Sequence, residues 1–131
     1  MPSDRNQTLL IRRGADFSFS LGYVNQDLTG YTARMMLREE YDSETPSATL
    51  TTENGKITIT EIEDFVEAGW PAVVAGKTVE SLFELVAKIP NAETQDLEKP
   101  YYVYDLELIS PAGVVYRDLE GRAETSPNAT R

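Results

Sequence analysis

The sequence predicts an all-β fold: an antiparallel sandwich of seven or eight strands with one irregular, partly helical insertion. Three observations carry that prediction. Large apolar residues alternate with small or polar ones in several short runs, the period of a half-buried strand. Turn formers separate those runs at intervals of roughly 8 to 15 residues, the spacing of a two-sheet sandwich. Thr, Val, Ile and Tyr are abundant, and these residues suit a pleated surface.

The elements follow in order. Thr8 to Arg13, with Leu9, Leu10 and Ile11, read as a first strand, and Gly14-Ala-Asp16 as a turn. Phe17, Phe19, Leu21 and Tyr23 then alternate with Ser18, Ser20 and Gly22, so one side faces a core. Asn25 to Gly30 are turn formers. In the strand Tyr31 to Arg38, Ala33, Met35 and Leu37 face one way and Thr32, Arg34, Met36 and Arg38 the other. Glu39 to Pro46 form a charged loop. Ala48 to Thr52 and Lys56 to Thr60 flank Asn54-Gly55, a strong hairpin signal because both residues tolerate positive φ.

Residues 61–80 form the irregular insertion. Ile62, Phe65 and Val66 recur at helical spacing, with Gly69 as a stop, so a short helix is expected over 61–69. Trp70 to Gly76 are apolar and flanked by breakers. Leu82 to Ile89 alternate as a strand, although Thr78 to Lys88 also admit a helical reading. Asn91 to Leu97 read as one helical turn with Asn91 as its N-cap. Tyr101 to Ser110 and Val114 to Glu124 form a last hairpin around Pro111-Ala-Gly113. Tyr102, Tyr104, Leu106 and Leu108 share its core face. The 131 residues read as a single domain, 1–131, with a flexible N-terminal arm at 1–7 and a polar C-terminal tail at 125–131.

Composition narrows the chemistry. There is no cysteine, so disulfides and thiolate chemistry are excluded. There is no histidine, which removes the commonest general base and transition-metal ligand. A Ser-His-Asp triad is therefore impossible, and no phosphate-binding glycine loop is present. The expectation is a protein that is not an enzyme, with no catalytic residues, no cofactor and no metal. The net charge of -10 repels phosphate backbones, so no nucleic-acid partner is expected. No run approaches the roughly 20 apolar residues of a membrane span, and the N-terminus has no apolar signal core. Asn128-Ala-Thr130 matches a glycosylation sequon and carries no weight without a signal peptide.

Two kinds of side chain remain as site candidates. Asp105 and Glu107 on one strand and Asp118 and Glu120 on the next are expected on one face. They read either as oxygen ligands for Ca2+ or as an ordinary solvated face, and the EF-hand spacing is absent. The second kind is apolar. Trp70, the only tryptophan, sits in the insertion near Phe65, and aromatic anchors carry much interface energy. The alternative is that the insertion folds back and caps one end of the sandwich. Met36, on a mostly polar strand face, and Tyr101 complete the partner-binding candidates Phe65, Trp70, Met36 and Tyr101.

Several segments carry a resemblance. They are Arg13-Gly-Ala-Asp-Phe17, Asp27-Leu-Thr-Gly30, Tyr31-Thr-Ala-Arg-Met35 and the Thr51 to Gly55 turn. Near the end come Tyr104 to Leu108, Ser110 to Gly113, Arg117 to Gly121 and Ser126 to Arg131. With these the chain resembles small structural proteins encoded among the tail and baseplate genes of bacteriophages. Its first half is similar, more distantly, to the N-terminal domain of phage baseplate upper proteins. Residues 61–80 depart from that pattern. The resemblance implies an Ig-like sandwich and a non-enzymatic adaptor at the baseplate or tail-fibre attachment region. It implies assembly in the host cytoplasm into the virion, in several symmetric copies beside other virion proteins. A capsid-decoration or neck protein, or a carbohydrate-binding module with Trp70 and Tyr101 on one platform, are the alternatives.

Overall fold

The alternating runs form strands that meet in two main sheets. In the computed structural model, which describes residues 6–126, the strands are β1 Leu9–Arg12, β2 Phe17–Val24, β3 Thr32–Arg38, β4 Ala48–Thr51 and β5 Ile57–Glu61. They continue as β6 Val73–Val74, β7 Lys77–Thr78, β8 Leu82–Ile89, then helix α1 Asn91–Thr94, β9 Tyr101–Ile109 and β10 Val115–Ser126. One sheet has the order β1-β10-β9-β3-β4 and the other β2-β8-β5, with β6 and β7 as a separate small ribbon. The fold is thus an all-β sandwich with eight strands in its two main sheets.

The inward faces are those the alternation marks. Ala33, Met35 and Leu37 of β3 pack with Tyr102, Tyr104 and Leu106 of β9 in one buried cluster. Leu85, Ala87 and Ile89 of β8 enter it from the other sheet. Phe17, Phe19 and Leu21 of β2 and Ile59 of β5 line the same interior but stay partly open, because their strands are the edges of the narrower sheet. Burial of such apolar area, at about 25 cal/mol per Å2, is the main force holding the sheets together.

Several expectations are corrected. Asn54-Gly55 does not close a hairpin. β4 pairs with β3 in one sheet and β5 with β8 in the other, so the turn carries the chain between sheets. The Asn54 carboxamide organises that crossing: its Oδ1 accepts the Thr51 and Lys56 amides, both at 3.0 Å, and its Nδ2 donates to the Thr49 carbonyl. Gly55 takes φ 81 there. The sandwich is antiparallel except for β1, which runs parallel to β10 with Leu9 opposite Ala123.

The arm is shorter than expected. Gln7 donates its amide to the Glu120 carbonyl at 3.0 Å, and its own carbonyl receives the Tyr104 hydroxyl at 2.6 Å. Gly121 permits that approach, since a Cβ there would stand 2.3 Å from the Gln7 carbonyl oxygen. Thr125 and Ser126, expected in the tail, belong to β10. Residues 1–5 of the arm, and the rest of the tail with Asn128, lie outside the described residues.

The insertion holds no helix. Ala68 donates to the Asp64 carbonyl and Gly69 to that of Val66, which makes a single turn. One turn does not offset the cost of helix nucleation. Beyond Trp70 the chain forms the β6–β7 ribbon, reversing at Ala75 (φ 53) and Gly76 (φ 79). The helical turn at 91–94 is present, but Asn91 is not its cap. Pro90 takes that place without a side-chain bond, and Asp16 accepts the Asn91 amide at 2.8 Å. Thr94, a buried polar residue, donates to the Ala15 carbonyl at 2.8 Å and so clamps α1 to the β1–β2 turn.

Candidate functional site

The four partner-binding candidates divide between opposite faces of the sandwich. Met36 and Tyr101 lie on the outer face of the five-stranded sheet. Phe65 and Trp70 lie in the insertion, Trp70 against the outer face of the three-stranded one.

On the first face the register sets the side chains in rows across β3, β9 and β10. Arg34, Glu107 and Arg117 form one row, Met36, Asp105 and Glu120 the next, and Arg38, Val103 and Arg122 a third. Opposite charges meet along and between the rows. Arg34 Nε binds Glu107 Oε1 at 2.6 Å, and Arg117 reaches Asp105 at 3.6 Å and Glu120 at 4.0 Å. The Arg122 guanidinium lies 3.9 Å over the Tyr101 ring. Arg38 draws the 39–46 loop back over the sheet by donating to the carbonyls of Ser43 at 2.7 Å and Glu44 at 3.2 Å.

Two adjoining clefts result. One, of about 590 Å3, lies between Glu39–Tyr41 and Lys99–Val103. The other, of about 400 Å3, is lined by Met36, Arg38, Asp105, Arg117 and Glu120. Tyr41 and Val103 line both, and Tyr41 is 63% exposed. Tyr41 falls in the segment that the sequence marks as a charged loop. Its available signal was an aromatic side chain between charged neighbours in a segment with no strand of its own to pack.

Electrostatics decide what this face can do. Burial raises the Asp105 carboxyl above its ordinary value, and neighbouring Glu107 adds to that, while Arg117 and Arg38 pull the other way. Burial also pushes the Tyr104 phenol up to about 12, with Tyr41 adding to the shift. The expected row of four carboxylates is broken. The β10 register shifts between Arg117 and Leu119, and Asp118 at that bulge accepts the Tyr23 hydroxyl from the opposite sheet at 2.5 Å. The three that remain are bound up with Arg34 and Arg117. Among the described residues no group of three or more carboxylates is placed to hold a metal ion. The face offers hydrogen bonds and aromatic contact instead.

The second face is built differently. Gly22 of β2 points outward, and a Cβ on it would meet Trp70 Cζ3 at 2.8 Å, so the missing side chain gives the indole its place. Val24, Leu82, Val79, Val74 and Pro71 complete an apolar pocket of about 220 Å3 around it. Leu82 is on the outer face of β8 yet only 1% exposed, because the insertion covers it. The insertion therefore folds back over a sheet face, where β2 ends at Val24 and β8 begins at Leu82. Its base is tied by Asn25 (φ 57), whose Oδ1 accepts the amides of Glu80 at 2.6 Å and Ser81 at 3.1 Å. Phe65 accepts the Trp70 amide through its carbonyl at 2.8 Å and is itself half-buried. Trp70 and Tyr101 consequently share no platform. No family model matches the chain, and no curated protein matches it.

Proposed function

We propose that this chain is a non-enzymatic structural component of a bacteriophage virion, an adaptor at the baseplate or tail-fibre attachment region. The observation that carries the reading is the pair of unlike contact surfaces on opposite faces of one small sandwich. An adaptor joins two neighbours and needs two such surfaces. Met36, Tyr41 and Tyr101 serve one, and Phe65 and Trp70 the other. The phage context comes from the turn-and-strand segments, Asp27 to Met35 and Tyr104 to Gly121 foremost. The lack of histidine and cysteine supports binding over catalysis. On this reading the partners are other virion proteins, met in several symmetric copies. The chain is made in the host cytoplasm and ends in the particle.

A cryo-EM map of the intact particle tests the proposal. Repeated copies at the tail tip or fibre base are the expected result. Copies on the capsid or neck would move the chain to a decoration role. A well-resolved particle without it would overturn the reading.

A further inference from the structure

We infer that the Trp70 pocket receives one apolar side chain carried on a basic segment of a partner protein. The inference rests on reading Phe65 and Trp70 as partner contacts, and it does not depend on where in a particle the partner sits.

Size comes first. At about 220 Å3 the pocket is below the roughly 300–1,000 Å3 of sites that enclose a whole small molecule. An apolar cavity of about 150 Å3 already accepts a benzene-sized guest. The space therefore matches a single Leu or Phe side chain. Its walls are apolar, the indole packed on Gly22 among them, so a ring or branched methyl group loses water there without leaving a polar group unpaired. The insertion also exposes apolar side chains, Val66 at 56% and Val73 at 58%.

Charge selects what carries that side chain. Residues 61–84 contain Glu61, Glu63, Asp64, Glu67, Glu80 and Glu84 against Lys77 alone. That is a net -5, half of the chain's -10, on 24 of 131 residues. Glu84 stands opposite Gly22 in the β2–β8 register, and Glu80 follows the pocket residue Val79. Among the described residues none of the six is in an ion pair. The opposite face differs on this point, since Asp105, Glu107 and Glu120 already meet Arg34 and Arg117. An apolar socket with Glu80 and Glu84 beside it, in a segment whose net charge is negative even with Lys77 opposite Val74, favours a cationic partner and repels an anionic one. Nucleic acid and anionic lipid are disfavoured on the same ground.

Two probes with one ring and opposite charge isolate both parts. Phenethylammonium and phenylacetate are titrated into the full chain, followed by amide and indole NMR signals at low salt and at about 0.5 M salt. The expected result is movement of the Trp70 indole N–H and the Gly22 and Leu82 amides. The cation should bind about three- to tenfold tighter than the anion at low salt, with the difference collapsing at high salt. E80Q/E84Q, one exposed change and one at a half-buried site, should remove the preference and keep ring binding. W70A should abolish ring binding while the β9–β10 amide signals stay in place. Equal affinity for the two probes, shifts confined to the Tyr41–Tyr101 clefts, or undiminished binding to W70A would each overturn the inference. The place of the chain in a particle is decided separately, by the particle map.

Discussion

The β9–β10 hairpin and the insertion at 61–80 hold their shapes by different means. In β9, Tyr102, Tyr104, Leu106 and Leu108 are all buried, and the strand pairs on both sides, with β10 and with β3. Between residues 61 and 80 only Val79 is buried. The hairpin's order is repeated at every second residue, so no single contact is decisive. The insertion's order depends on a few residues supplied from elsewhere: Gly22 under the indole, Asn25 at the base and Leu82 beneath. The broad face of the molecule is thus redundantly specified and the small apolar face sparsely so.

Substitutions break the comparison at different points, and the largest effect belongs to the hairpin. Leu106→Ala, at a fully buried site, should cost about 2–5 kcal/mol in guanidinium unfolding, with the loss felt throughout the domain. A cost under ~1 kcal/mol would mean that the core does not cross β9. Gly121→Ala should follow at about 1–3 kcal/mol, since φ 152 and the Gln7 carbonyl both oppose a Cβ. Faster hydrogen exchange at the Gln7 amide would mark where the chain yields.

Tyr104→Phe removes the bond to Gln7 and should cost about 0.5–1.5 kcal/mol near neutral pH. It also changes the alkaline limb. The folded phenol titrates near 12, above its unfolded value of 10.0. The stability tied to its neutral form is complete below 10.0 and is lost as pH rises toward about 12. Unfolding free energies measured across that window should fall less steeply for the Phe variant. The smallest effect is expected from Gly22→Ala. The indole must shift, so Trp70 emission should move to the red, while global stability changes by less than about 1 kcal/mol. A global loss as large as that of Leu106→Ala would end the distinction between the two regions.

The same division governs what could be read from the sequence. Strands whose side chains alternate between core and solvent, such as β2, β3 and β9, were legible because the period of two is itself the burial pattern. Asn54-Gly55 was legible as a turn and misread as a hairpin. Its local chemistry is the same whichever sheet the next strand joins, and that choice is made by Ile57 and Ile59 pairing with Ala87 and Leu85 of β8. The helical spacing of Ile62, Phe65 and Val66 was real, but too short a run to form a helix. The ribbon at 73–78 was hidden because its reversal uses Ala75 at positive φ, where Asn or Gly is the usual sign. Of the candidate contact residues, Phe65, Trp70, Met36 and Tyr101 could be singled out as exposed or unassigned apolar groups. That they fall on two faces follows from pairings that no single segment encodes.

One pairing has a consequence for how the molecule comes into being. Among the described residues β2 finds its ladder only with β8, and Leu82 follows Val24 by 58 positions. At ~5–20 residues per second a ribosome needs about 3–12 s to cover that interval. Phe17–Val24 carries no charge and no proline to discourage a stray strand from adding to it. The nascent chain therefore passes through a period in which an uncharged, apolar strand waits for a mate. Fragments ending before residue 82 should precipitate where the whole chain stays in solution.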